Sequence, residues 1–104
     1  MFDIQKMMKQ AQKMQDEMQA VQKEMENTEF TGTAGGGAVK ITASGKYDFK
    51  SVKIDPEAAK DAEMLEDLIA TALKDLSTQI NGKLEEKIGS VTAGLNIPGL
   101  KLPF

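Results

Sequence analysis

Residues 4–25 read IQKMMKQAQKMQDEMQAVQKEM, and apolar side chains recur in this run at alternating spacings of three and four. The apolar residues occupy the a and d positions of a heptad repeat: Ile4, Met7, Ala11, Met14, Met18, Val21 and Met25. Gln, Lys, Glu and Asp between them favour helix, and neither Gly nor Pro interrupts the run. We predict a helix from Asp3 to Glu26 with a coiled-coil seam, which favours packing against another helix. Such a helix is too long for a small domain to cover, so part of it should project or meet a second chain.

The composition is typical of one small soluble domain. The chain has 104 residues, of which 40% are hydrophobic and 28% charged, and it contains neither Cys nor His. Disulfides, thiolate chemistry and a serine nucleophile activated by histidine are therefore excluded. We expect no enzyme activity, cofactor, metal or small-molecule substrate. No apolar run approaches the roughly 18 residues that span a membrane, and no secretion signal is evident, so we expect a cytoplasmic protein without a membrane partner.

A segment rich in β-branched and aromatic residues follows the first helix and predicts three strands. We place them at 29–34, 38–44 and 46–54, with a glycine turn at 35–37 and a tight hairpin through Ser44-Gly45. Gly35-Gly36-Gly37 lacks the spacing of a phosphate-binding loop, so a hairpin turn is the better interpretation.

Alternation along these strands predicts which side chains share a face. Val39, Ile41 and Ala43 lie on one face; with a two-residue hairpin loop, Val52 and Ile54 share that face and Tyr47 and Phe49 point to the other. A sheet that is apolar on both faces must be packed on both sides, and we expect a helix to bury one face and a second subunit to bury the other. The residues predicted at the dimer interface are Val39, Ile41, Tyr47, Phe49, Val52 and Ile54.

The sequence Asp55-Pro56 predicts a short turn at 56–60 and then a second long helix from Ala62 to Ile88. Its apolar stripe is Leu65, Leu68, Ile69, Ala72, Leu73, Leu76 and Ile80. Near its start Asp61, Glu63, Glu66 and Asp67 form a carboxylate cluster, which we interpret as a solvated helix face. The predicted fold is α+β: a long N-terminal helix, a three-stranded antiparallel sheet and a long C-terminal helix. Residues 1–88 form one domain, and the Gly- and Pro-rich residues 89–104 form a flexible tail that we expect to dock on a groove or partner.

Charge is unevenly distributed along the chain. The net charge is −3, but residues 1–15 carry +2 and residues 55–86 carry −6. All 13 basic residues are lysines, so bidentate guanidinium contacts are absent. Lys6, Lys9 and Lys13 occupy c, f and c positions opposite the seam and form one row. That row is either a solvated face or a set of phosphate contacts. A second set on the strands could extend it: Lys40, Lys46, Lys50 and Lys53.

Several segments together resemble the YbaB/EbfC family. The segments are Met8–Gln15 (MKQAQKMQ), Val39–Thr42 with Ser44-Gly45, Val52–Pro56, Glu63–Leu68 and Ile97–Phe104, and they span the whole chain. The resemblance implies a bacterial nucleoid-associated protein that binds duplex DNA as a tweezer-shaped homodimer, with paired sheets at its centre and helices as arms. It also implies localisation to the nucleoid. The positions that match the family's first helix are Lys9 and Lys13, with Gln10 and Gln12 as polar neighbours and Lys6 in support.

The residues themselves leave a second interpretation open. A methionine-rich seam can be an adaptable surface for apolar partners. In that case the chain is a chaperone-like or adaptor module that grips a protein through Met7, Met14, Met18 and Met25. Salt-dependent binding to nucleic acid discriminates between the two hypotheses, because phosphate contacts weaken steeply with salt.

Overall fold

The computed structural model describes residues 3–93 as two long helices and a three-stranded antiparallel sheet. The elements in chain order are helix α1 (Ile4–Glu26), strands β1 (Glu29–Ala34), β2 (Val39–Ser44) and β3 (Phe49–Ile54), a 3-10 turn (Ala58–Lys60) and helix α2 (Ala62–Ala93). The strand order is β1-β2-β3. This confirms the predicted α+β architecture and the order of its elements.

Aspartate side chains accept hydrogen bonds from backbone amides at the start of each helical segment. The Lys6 amide donates to Asp3 Oδ1 at 3.2 Å, which satisfies one free N–H of the first turn of α1. The Met64 amide donates in the same way to Asp61 Oδ1 at 3.1 Å at the start of α2. The Glu57 amide donates to Asp55 Oδ1 at 3.2 Å, which stabilises the predicted turn after the sheet. These local signals are why the element starts could be predicted from sequence.

Helix α2 covers one face of β1 and β2. Val39, Ile41 and Ala43 on β2 are buried, and the helix buries Leu76 and Ile80 against this face. At Gly32 of β1 the helix backbone comes so close that there is no room for a side chain. The stripe predicted for α2 therefore forms the core, except that Leu73 is 40% exposed.

Two side chains of α2 also bond to the free edge of β1. The Thr33 amide donates to Asp75 Oδ2 at 2.9 Å, and Gln79 Nε2 donates to the Thr31 carbonyl oxygen at 2.9 Å. Unpaired edges invite association with other strands, and these bonds block the β1 edge. Among residues 3–93, no hydrogen bond of this kind reaches the outer edge of β3.

The hairpin between β2 and β3 differs from the prediction. β3 begins at Phe49, not at 46, and Tyr47 in the preceding turn has a φ of 63°. A bulge shifts the register, so that Phe49 lies opposite Ala43. The extra residue reverses the alternation, which puts Phe49 on the face that α2 covers. The Tyr47 hydroxyl also reaches α2, where it donates to Asn81 Oδ1 at 3.0 Å. The prediction that Tyr47 and Phe49 point to the opposite face is wrong.

The other face of the sheet is polar, and the expectation of a sheet with two apolar faces is also wrong. The register places on this outer face Thr31, Thr33, Lys40, Thr42, Ser51 and Lys53. Val52 and Ile54 share the face of Val39 and Ile41, as predicted, because they are their cross-strand partners. They are nevertheless exposed, since α2 lies over β1 and β2 and does not extend over β3.

The C-terminal half of α1 packs on α2, and its N-terminal half projects. Val21 and Met25 are buried, whereas Ile4 and Met7 are 67% and 53% exposed. The chain is consequently elongated, with principal extents of 70 × 25 × 15 Å. The projection of part of the first helix is confirmed.

Helix α2 continues to Ala93, five residues beyond the predicted end at Ile88. Val91 packs against the core cluster, which explains why the helix persists through Gly89. The remainder of the predicted tail, 94–104, lies outside the described residues, so its flexibility stays a prediction.

An ion pair between Glu24 and Lys87 joins the two helices. The Lys87 ammonium bonds to the Glu24 carboxylate and lowers its pKa. A lowered carboxyl pKa stabilises the fold above the unfolded-state pKa, and this contribution is lost as pH falls through the folded-state value. We expect Glu24→Gln to lower the melting temperature slightly at pH 7, since the Glu24 carboxylate is exposed to solvent. The difference from the parent should shrink as pH falls below about 4.3. Melting curves of both proteins at several pH values measure it; a difference that grows on acidification would contradict this sign.

Candidate nucleic-acid interface

The predicted lysine row lies on the projecting N-terminal half of α1, which we call the arm. Lys6, Lys9 and Lys13 are all exposed, and within residues 3–93 no carboxylate oxygen lies within 4 Å of their ammonium groups. The row extends over about 10 Å along the helix axis. Gln10 and Gln12 are exposed beside it and offer both donors and acceptors. The structure therefore brings all five predicted residues together on one accessible stretch of helix.

The second lysine set is separate from this row. Lys40 and Lys53 lie directly opposite each other across β2 and β3 on the polar outer face. Lys50 instead pairs with Asp48 at 3.5 Å. Helix α1 meets the other end of β2, where the Gly45 amide donates to the Met25 carbonyl oxygen at 2.8 Å. The strand lysines thus form a distinct basic patch and do not extend the α1 row.

Carboxylates concentrate at the end of α2 that lies far from the arm. The four predicted cluster members are exposed, which confirms the solvated-face interpretation: Asp61, Glu63, Glu66 and Asp67. Leu68, in the next turn, contacts Gly35, whereas the arm leaves the body near Lys87. The molecule therefore has a basic tip on α1 and an acidic tip at the start of α2, an arrangement that would orient a polyanion toward the arm.

Apolar side chains are exposed along β3 and the adjoining side of α2. Phe49, Val52 and Ile54 are 54%, 55% and 37% exposed. Leu73 on α2 is exposed as well, one turn before Ser77, whose hydroxyl lies 3.3 Å from that of Tyr47. Clustered exposed apolar residues of this kind often mark an interface between proteins. Val39 and Ile41, two of the predicted interface residues, are already covered by α2 within the chain. They cannot contribute an exposed surface, which leaves Tyr47, Phe49, Val52 and Ile54.

Sequence reasoning missed the edge contacts from Asp75 and Gln79. Their only signal in the sequence is spacing: two polar residues four apart lie on one helix face beside the apolar stripe. That spacing does not reveal which strand edge they meet.

No group of three or more His, Cys, Asp or Glu side chains within residues 3–93 could hold a metal ion. No helix in the same range has the length and hydropathy needed to cross a membrane.

The chain has relatives both in sequence and in structure. The sequence profile of the YbaB/EbfC DNA-binding family matches residues 1–95, and the chain belongs to that family. This confirms the resemblance described above.

Individual relatives match nearly the full chain. A nucleoid-associated protein of Xanthomonas oryzae pv. oryzae is 48% identical over 103 residues, which cover 98% of this chain and 97% of the relative. A nucleoid-associated protein of Xylella fastidiosa is 46% identical over 103 residues, which cover 98% and 96%. An uncharacterized protein from Helicobacter pylori matches in structure with a TM-score of 0.68 at 20% sequence identity, covering 91% of this chain and 98% of that chain. At that identity the structural match supports the fold alone.

Proposed function

We propose that the protein is a nucleoid-associated protein that binds duplex DNA as a homodimer, mainly through phosphate contacts from the projecting arms of α1. The observation that carries this proposal is the row of lysines on an exposed arm, unpaired within residues 3–93, in a chain that belongs to a DNA-binding family. Its partners are duplex DNA and a second copy of itself, and its location is the bacterial nucleoid.

The chemistry of the row favours phosphate over bases. A lysine ammonium is a compact point charge that suits phosphate oxygens, whereas the commonest base-specific contact uses the bidentate guanidinium of arginine. This chain has no arginine. Phosphate contacts position a protein on the duplex without reading its sequence. We therefore expect binding that is weakly selective and strongly dependent on salt.

The exposed side of β3 supports assembly with a second copy. The apolar side chains of Phe49, Val52 and Ile54 lie next to a strand edge whose outward backbone groups have no partner among residues 3–93. The β1 edge, in contrast, is blocked by α2. A partner that covers β3 would bury the apolar side chains and shield the open edge at once. Such a dimer has two arms, and its six row lysines can reach one duplex.

The central experiment substitutes Lys9 and Lys13 with glutamine. Each neutralised phosphate contributes about −0.9 to the slope of log affinity against log salt. The double variant loses up to four contacts per dimer, so we expect the slope to flatten by roughly three to four units. The loss should be similar for random and genomic duplexes. Fluorescence-anisotropy titrations at several salt concentrations measure both quantities, and circular dichroism checks that folding is unchanged.

Two matched double variants control for net charge and for position. Lys60→Gln with Lys74→Gln removes the same charge from the acidic part of the chain, and we expect little change in slope. Lys40→Gln with Lys53→Gln tests the basic patch on the sheet. If only this last pair flattened the slope, DNA would lie on the outer face of the sheet, and the arm would not be the contact.

The second candidate function is a chaperone-like or adaptor module, which is favoured by the exposure of Ile4 and Met7 on the arm. Apolar side chains on a projecting helix can contact an apolar segment of another protein. This candidate gains support if the parent binds DNA only marginally and the lysine substitutions have no effect.

A further inference from the structure

Coverage of the α1 seam decreases steadily toward the N-terminus. Met25 and Val21 are buried at 2% and 7% exposure. Met18 and Met14, the next seam residues, are partly buried. Ala11, Met7 and Ile4 are exposed. Within residues 3–93 the N-terminal part of the seam therefore packs against nothing, although the apolar repeat continues unbroken to Ile4.

The direction and length of α2 explain how much of the α1 seam it buries. Contacts along the molecule pair Gly35 with Leu68, Thr33 with Asp75, Thr31 with Gln79 and Glu24 with Lys87. Residue numbers on α2 rise as those on β1 and α1 fall, so α2 runs antiparallel to α1. Val91 packs against the same cluster as Val21, and the helix ends at Ala93. The chain that follows leaves α2 where the exposed part of the seam begins.

We propose that residues 94–104 of the same chain dock along the α1 seam between Met18 and Ile4. The distance along α1 from Val21 to Ile4 is about 26 Å at 1.5 Å per residue. Residues 94–104 can span about 36 Å when extended at 3.3 Å per residue, so they reach the end of the seam. The segment also has the required apolar side chains, namely Leu95, Ile97, Leu100, Leu102 and Phe104, and Lys101 is its only charged side chain.

This docking is compatible with DNA on the arm but does not depend on it. The seam occupies a and d positions, whereas Lys6, Lys9 and Lys13 occupy c and f on the other side of the helix. A docked segment covers the seam and leaves the lysine row accessible. Covering the seam would also withdraw the methionines from the apolar partners of the second candidate function.

Engineered disulfides test the position of the segment, because the chain has no native cysteine. From the level of Val21, Met14 lies about 10 Å along α1, and Ile97 lies four residues, or about 13 Å of extended chain, beyond Ala93. The test variant is therefore Met14→Cys with Ile97→Cys. The matched control is Asp16→Cys with Ile97→Cys, since Asp16 lies at a similar height at an f position. We expect the test pair to oxidise within one chain at least about tenfold faster than the control pair, because docking raises the effective concentration of the two thiols. Non-reducing electrophoresis and peptide mass spectrometry measure the rates.

The unmodified protein offers a second measurement. Met7 and Met8 are neighbours with similar exposure, 53% and 66%, but only Met7 lies on the seam. Docking predicts that dilute peroxide oxidises Met7 several times more slowly than Met8, and that Leu100→Asp removes the difference. Equal rates in the parent, or equal crosslinking of the two cysteine pairs, would overturn the proposal. Disulfides found only between differently labelled chains would also overturn it, because a second copy would then cover the seam.

Discussion

Replacing Gly32 with alanine should destabilise the protein by about 3 kcal/mol or more, at the upper end of the cost of overpacking. A Cβ atom at Gly32 would collide with the Ala72 carbonyl oxygen and would lie 2.7 Å from both the amide nitrogen and the Cβ of Leu76. Most of these atoms are helix backbone and cannot rotate away. The substitution can be accommodated only if α2 shifts off β1, which would also disturb the bonds from Asp75 and Gln79.

The expected observable is a fall in melting temperature of more than roughly 12 °C for a domain of this size. Gly82→Ala is the matched control, because nothing lies within 4 Å of its added Cβ. Alanine favours helix over glycine by about 1 kcal/mol, so this control should raise the melting temperature. Both measurements need the same protein concentration, since association contributes to apparent stability. A Gly32→Ala protein that melts within two or three degrees of the parent would show that α2 does not pack on β1 as described.

Replacing Val52 with aspartate should dissociate the proposed dimer while the subunit stays folded. Val52 is 55% exposed in the single chain, so a carboxylate there is solvated and costs the subunit little. In a dimer that covers β3, the same carboxylate would be buried without a partner, once in each subunit. We expect dimerisation to weaken at least about a hundredfold, which corresponds to about 2.7 kcal/mol. Sedimentation equilibrium at micromolar concentration measures this, with circular dichroism as the check on folding.

Ser51→Asp provides the control for Val52→Asp. It introduces the same charge one residue earlier, on the polar outer face of the sheet. We expect it to remain dimeric. If both variants behaved alike, or if the parent sedimented as a folded monomer, the exposed side of β3 would not be a dimer interface. In that case the two-armed mode of DNA binding would also fail, because it needs two copies.

Local signals in the sequence were sufficient to predict the helices, the strands and part of the candidate site. The heptad repeat predicted α1 almost to the residue, and the Asp-Pro turn predicted the start of the segment before α2. The lysine row followed from helical spacing alone, because c and f positions face away from an a and d seam whatever the tertiary structure is. These features depend on residues within one or two turns of each other, and such short-range geometry is a direct function of residue order.

The face and the burial of the sheet residues depended on the geometry of the β2-β3 hairpin and on contacts between distant residues. One extra residue in a bulge reversed the alternation, so the sequence pattern placed Tyr47 and Phe49 on the wrong face. The burial of Val39 and Ile41 and the exposure of Val52 and Ile54 could not be separated by pattern, since all four alternate in phase. Only the lateral position of α2, over β1 and β2, decided which pair was covered.

The sequence by itself determined the helices, the strand order along the chain, the family and the lysine row, because each depends on local spacing or on residue identity. The tertiary structure alone decided which strand edge is blocked, that the apolar side chains of β3 stay exposed, and how far along α1 the seam is covered. Each of these follows from where α2 comes to lie and where it ends. That position is set by the close approach of α2 to Gly32 and by apolar packing between residues some 40 positions apart, such as Gly32 and Leu76, which no local pattern encodes.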